Sequence, residues 1–156
     1  MPEKFGVNFA NYTTSTARKT CAKVVPAANK PCEFIEFALT GAGQTTAADT
    51  QHEGGVTALT NAGAGTGVSA TPNPFQQTGA VSASTCLVTH TTEPTTYTTI
   101  SPIYFGFNQR GGMRWAVPKG EGVLISQGDT NLAIGLNILS AAAGAASGYL
   151  NWWENV

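Results

Sequence analysis

Cys86 and His90 are the nearest this sequence comes to a nucleophile beside its base. On an extended strand, four steps of roughly 3.3 Å cover about 13 Å. The two side chains would share a face without touching, and a base must lie within hydrogen-bond reach of its nucleophile. Asp49, His52 and Glu53 sit together and carry donors suited to a hard or borderline cation. One imidazole and two carboxylates in a polar stretch are more simply read as solvated. Glu33 and Glu36 are three apart, so a strand sends them to opposite faces, whereas glycoside hydrolysis needs two carboxylates flanking one bond. Gly41-Ala42-Gly43 and Gly63-Ala64-Gly65-Thr66-Gly67 complete neither a dinucleotide fingerprint nor a P-loop. No catalytic residue, cofactor site or metal site is expected, and the chain is not read as an enzyme.

The residue types that favour contact with another macromolecule are more prominent. Arg18, Lys19, Lys23 and Lys30 are four of the eight basic residues and fall in one short segment. They suit either an acidic partner surface or the charging of an edge strand against aggregation. Arg110, Arg114 and Trp115 lie close in sequence, and Trp and Arg are enriched at interface hot spots. Core packing is the competing reading for Trp115. Trp152 and Trp153 are adjacent, so a strand must turn them to opposite faces. One can enter a core, and the other needs a loop, a subunit or a partner to cover it. The candidate interface is therefore Arg18, Lys19, Arg110, Arg114, Trp115, Trp152 and Trp153.

The 156 residues suffice for one domain. Charged residues are 11% of the chain against 42% hydrophobic. That is under half the usual charged share, which with this many apolar residues argues against disorder and suggests a surface covered in its working state. A formal net charge of −1 argues against a general nucleic-acid binder. Cys21, Cys32 and Cys86 are odd in number and widely spaced, so free buried thiols are expected. The N-terminus lacks the apolar run of a secretory signal. The stretch from Leu132 to Leu150 is too polar for a membrane span, and a soluble protein is expected.

These residues must be positioned by short strands. Residues 1–16 are polar and irregular and read as an extended N-terminal arm, with a single β-sandwich domain over 17–156. Thr20–Val25 and Glu33–Leu39 are strand candidates, the second with Ile35, Phe37 and Leu39 on one face and Phe34, Glu36 and Ala38 on the other. Residues 41–80, rich in Gly, Ala and Thr, read as long loops with a short strand near Val56–Thr60. Strand signals return at Thr85–His90, Ser101–Phe107, Met113–Val117 and Glu121–Ser126. The clearest alternation is Leu132, Ile134, Leu136 and Ile138. A loop or helical turn is expected over Ala141–Gly148, then a closing strand over Tyr149–Glu154. About eight strands and no amphipathic helix predict an all-β, two-sheet antiparallel sandwich of jelly-roll type.

Ser15-Thr16-Ala17-Arg18-Lys19-Thr20 leads into Val24-Val25-Pro26-Ala27-Ala28-Asn29, followed by Glu33-Phe34-Ile35-Glu36-Phe37-Ala38-Leu39-Thr40-Gly41. Ala70-Thr71-Pro72-Asn73-Pro74, Thr91-Thr92-Glu93-Pro94-Thr95, Asn108-Gln109-Arg110-Gly111-Gly112-Met113-Arg114-Trp115, Pro118-Lys119-Gly120-Glu121 and Gly128-Asp129 complete a scattered pattern over residues 15–155. The pattern resembles small β-sandwich structural proteins of tailed bacteriophages, of the capsid decoration (cement) type. The resemblance implies a homotrimer on the outside of an icosahedral head that ties major capsid proteins together, assembled in the host cytoplasm. It implies no active site; the weak net charge and the lack of an apolar span lead to no nucleic-acid partner and no membrane partner being expected. An arm over residues 1–16 would then carry capsid binding, and its deletion would leave the fold intact. The rival readings are a carbohydrate-binding or adhesion module, with exposed aromatics stacking on sugar rings, and another virion component such as a head fibre, tail or minor capsid protein.

Overall fold

The computed structural model describes residues 2–41, 49–59, 65–76, 79–94, 103–125 and 133–155. Its strands are β1 (Glu3–Thr14), β2 (Lys19–Val25), β3 (Cys32–Gly41), β4 (Gln51–Leu59), β5 (Thr66–Ala70) and β6 (Asn73–Pro74). They continue as β7 (Thr85–Thr92), β8 (Ile103–Asn108), β9 (Gly112–Ala116), β10 (Val123–Ile125), β11 (Ala133–Ser140) and β12 (Gly144–Glu154). One sheet runs β10-β3-β12-β1-β6, with β9 also paired to β3; the other runs β5-β7-β2-β11-β4-β8. Every pairing is antiparallel. None of the described residues forms a helix long and apolar enough to cross a membrane.

Twelve strands replace the eight or so expected, yet the eight-strand plan lies inside them. Taking β1, β2, β3, β4, β8, β9, β11 and β12 as eight in succession, one sheet pairs first-eighth-third-sixth and the other second-seventh-fourth-fifth. That order is the two-sheet jelly roll. The additional strands are β5, β6 and β7, inserted between the fourth and fifth, and the short β10. Residues 41–80 are therefore not simply long loops. They hold β4, β5 and β6, although 42–48, 60–64 and 77–78 lie outside the described residues. Their many Gly and Thr residues hid the alternation, because Gly54 and Gly55 are buried without contributing an apolar side chain.

The arm expected over residues 1–16 is instead mostly strand. β1 pairs with β12 from Glu3↔Glu154 to Thr14↔Gly144 and with β6 at Phe5 and Gly6. Phe5, Val7, Phe9 and Tyr12 all enter the core. Their spacing changes from two to three residues after Phe9 because a bulge at Ala10 and Asn11 interrupts the register, with Asn11 at φ 52°. Asn is among the few side chains that tolerate this left-handed backbone. The three-residue step breaks the period-two pattern, so the sequence reads as irregular.

β3 has a second bulge, between the pairs Asn151↔Glu36 and Trp152↔Phe34. It returns Phe34 to the same side as Phe37 and Leu39, all three fully buried in the core. The expected partition, with Phe34 on the opposite face, is corrected by that one extra residue. β12 begins at Gly144, so Ala141–Gly148 is half strand rather than a loop or helical turn. Along β11, Ile134, Leu136 and Ile138 face the core as the alternation predicts; Leu132 lies outside the described residues.

Candidate interface surfaces

The adjacent tryptophans divide as the strand requires. Trp152 is fully buried between Phe5 and Phe34, with ring centroids at 6.4 and 6.1 Å. Trp153 faces out, half-buried, with Lys119 Nζ 5.4 Å from its ring. Its cover comes from the loop between β9 and β10. Trp115 is half-buried against the core, its ring 5.8 Å from that of Phe37. Arg114, its neighbour, points the other way to Glu36, with Nη2 at 2.7 Å and Nε at 2.8 Å. Arg110 pairs with Asp49 at 3.0 Å. Lys19 pairs with Glu93 at 3.7 Å, and the Arg18 guanidinium lies 5.5 Å from the Tyr104 ring. The seven candidates therefore do not form one patch. Trp115 and Trp152 serve the interior, while Arg114 and Trp153 share the outer face of the β1-containing sheet.

The basic segment was open to reading as the coat of an edge strand. β2 instead lies between β7 and β11. Lys23 is 1% exposed, and burial lowers its pKa.

The potential chemical groups disperse. His52 points inward and donates to or accepts from Ser140 at 2.6 Å, while Glu53 points outward. Among the described residues no three metal-ligating side chains gather at one point. Cys86 and His90 both face inward along β7. All three cysteines are free and buried, and burial first of all raises their thiols, that of Cys32 to about 12.

Three carboxylates act as anchors. Glu154, at the end of β12, accepts from the Ser82 and Ser84 hydroxyls and from the Ala83 and Ser84 backbone N–H groups. Burial alone would raise its pKa; these donors outweigh burial and hold it below the usual carboxylate range. Glu33 accepts from the N–H groups of Gly120 and Gly122. Glu36, on the outer face, gathers Arg114, Lys4, the Tyr149 hydroxyl at 2.8 Å and Asn151 Nδ2 at 3.2 Å. Burial works against its charge here too, and the Tyr149, Arg114 and Asn151 hydrogen bonds prevail to lower its pKa. Sequence reasoning passed over this cluster. The signal was the alternation Tyr149, Asn151, Trp153, which marks one outer face of β12.

Among the described residues, the strands at the sheet edges share a property that the sequence did not reveal. Val68 on β5 is 59% exposed, Phe105 on β8 45%, Leu124 on β10 61%, and Phe75, directly after β6, 53%. The edge strands TGVSA, NP, IYFGFN, GMRWA and VLI contain a single charged residue, Arg114, and Glu36 already holds it. Sheet edges are ordinarily protected by charge, proline, shortness or cover; β6, with Pro74, and β10 are short, whereas β5 and β8 are longer and carry neither charge nor proline.

No protein-family model matches the chain, and no curated protein matches it. Among solved structures, particles derived from infectious bursal virus with T=1 symmetry align over 98% of this chain and 39% of theirs. Identity there is 12% and the TM-score 0.25. The Gx strain of infectious bursal disease virus aligns over 100% and 42%, at 11% identity and TM-score 0.18. The chain thus spans about two-fifths of those chains, and scores of this size carry no inference about its role.

Proposed function

We propose that this protein is a non-enzymatic virion structural protein, a capsid decoration (cement) protein. It binds the outside of an icosahedral phage head as a homotrimer and ties neighbouring major capsid proteins together. The observation that carries the reading is the set of apolar, nearly uncharged sheet edges. Edges of this kind invite association, and a symmetric assembly on a shell covers them. Repetition over many equivalent positions then multiplies modest contacts. The scattered resemblance over residues 15–155 supports the same role, while the jelly-roll order alone does not, because one fold hosts many functions.

Light scattering after size exclusion tests the assembly, with a trimer at three times the 16.1 kDa of the chain expected. Co-sedimentation with heads of a phage that carries the gene tests the partner. A monomer that leaves heads undecorated overturns the proposal.

A further inference from the structure

On the outer face of the β1-containing sheet, the strand register sets residues in two rows. The first is Asn73, Gly6, Asn151 and Glu36, on β6, β1, β12 and β3 in turn. The second is Asn8, Tyr149, Ala38 and Arg114. Gly6 leaves a notch between two asparagines. A Cβ there would lie 2.3 Å from Asn151 Oδ1 and 2.9 Å from Phe75 Cε2, so both groups lean over bare backbone. Around this notch opens a groove of about 480 Å³, lined by Asn8, Asn73, Phe75, Tyr149 and Asn151. That volume falls within the range of small-molecule sites.

The groove is held in shape from behind. Glu36 can only accept hydrogen bonds, so Asn151 must turn Nδ2 toward it. Oδ1 is thereby aimed over Gly6 into the groove. The same carboxylate accepts a hydrogen bond from the Tyr149 hydroxyl and fixes that ring. Lys4 Nζ stands 4.2 Å from the Phe75 centroid, yet the ring stays 53% exposed. The charge of Glu36 is met by Arg114 and Lys4. What remains on offer is the amides of Asn8 and Asn73, the Oδ1 of Asn151 and two aromatic rings. Amides present a donor and an acceptor side by side, which matches neighbouring hydroxyls. An aromatic face accepts polarised C–H bonds.

We infer that this groove is a binding site for a neutral saccharide, with one pyranose ring against Phe75 and Tyr149 and its hydroxyls on Asn8, Asn73 and Asn151. The site adds a glycan-contacting activity to a protein read otherwise as structural. Fixing Asn151 and Tyr149 on Glu36 before binding lowers the ordering cost on association.

The test is saturation-transfer NMR on the full chain with methyl glycosides of glucose, galactose, mannose and N-acetylglucosamine at millimolar concentration. At least one should receive saturation through its ring protons. Phe75→Ala and Asn8→Ala alter exposed side chains and should keep the melting temperature while weakening that binding at least about tenfold. Gly6→Ala should weaken it too, by displacing Asn151 and Phe75 without removing either. The inference is overturned if no glycoside binds, or if binding survives both Phe75→Ala and Asn8→Ala. Loss of head binding in these variants, with no saccharide signal from the parent, overturns it in favour of a protein occupant. The decoration reading is tested separately by head binding and by the Leu124 edge, so the two can fail independently.

Discussion

The middle of each sheet and its margins are built on opposite rules. In the middle, apolar side chains are fully buried and the carboxylates at strand ends are surrounded by donors, as Trp152 and Glu154 illustrate. At the margins, Val68, Phe105 and Leu124 meet solvent. The difference assigns two tasks: the centre holds the fold together, and the margin is left for association. An isolated soluble domain would be expected to charge its edges. Three charged residues, Lys23, Glu33 and Glu154, are buried, and Glu36 gathers Arg114 and Lys4 on the outer face.

Removing residues 1–16 strikes the centre hardest. It takes Phe5, Val7, Phe9 and Tyr12 out of the core, at about 1.5–3 kcal/mol each, against a total stability of about 5–15 kcal/mol. Circular dichroism of the truncated chain should show no cooperative melt. A folded truncation would restore the arm reading and remove β1 from the centre.

Trp152→Ala should cost about 3–5 kcal/mol in urea unfolding, whereas Trp153→Ala should cost about 1 kcal/mol or less. Equal effects would erase the division between the two faces. Glu154→Gln should follow at about 1.5–3 kcal/mol, the range for hydrogen bonds to a charged group.

Acid should act on the centre as well. Burial lowers the pKa values of His52 and His90, with the Lys23 charge a further cause for His90. Both are neutral in the fold, so stability is complete above about pH 6.5 and declines as the pH falls below it. Glu154 and Glu36 have folded values below the usual range. Their contribution is present above about pH 4.3 and is lost as the pH falls through the lower folded values. Melting temperatures between pH 8 and pH 3 should therefore fall in two stages, and a flat profile would contradict this account of the buried groups.

The smallest effect on folding, and the sharpest on association, belongs to the margin. Leu124→Lys and Phe105→Lys should change stability by no more than about 0.5 kcal/mol. Either should disperse the trimer in light scattering and reduce head binding. Variants that still assemble would show that the exposed margins are not the contact.

Much of the sandwich was legible because burial on one face of a strand forces period-two alternation. Ile134, Leu136 and Ile138 carry that pattern, and Trp152 beside Trp153 announces that one ring goes in and the other out. β1 and the first half of β3 were not legible. A bulge shifts the alternation by one residue, and whether a bulge forms depends on a partner strand, here β12, more than a hundred residues away along the chain. The candidate groove was hidden for the same reason. Asn73, Gly6, Asn151 and Glu36 are unremarkable as separate letters and become a row only when four strands fall into register. The sequence by itself determined the fold class, the inward alternation and the scarcity of charge, because each depends on local periodicity or composition. Tertiary structure alone decided which strands became edges and which side chains met across the sheet, because antiparallel pairing joins residues whose distance in sequence carries no trace of their contact.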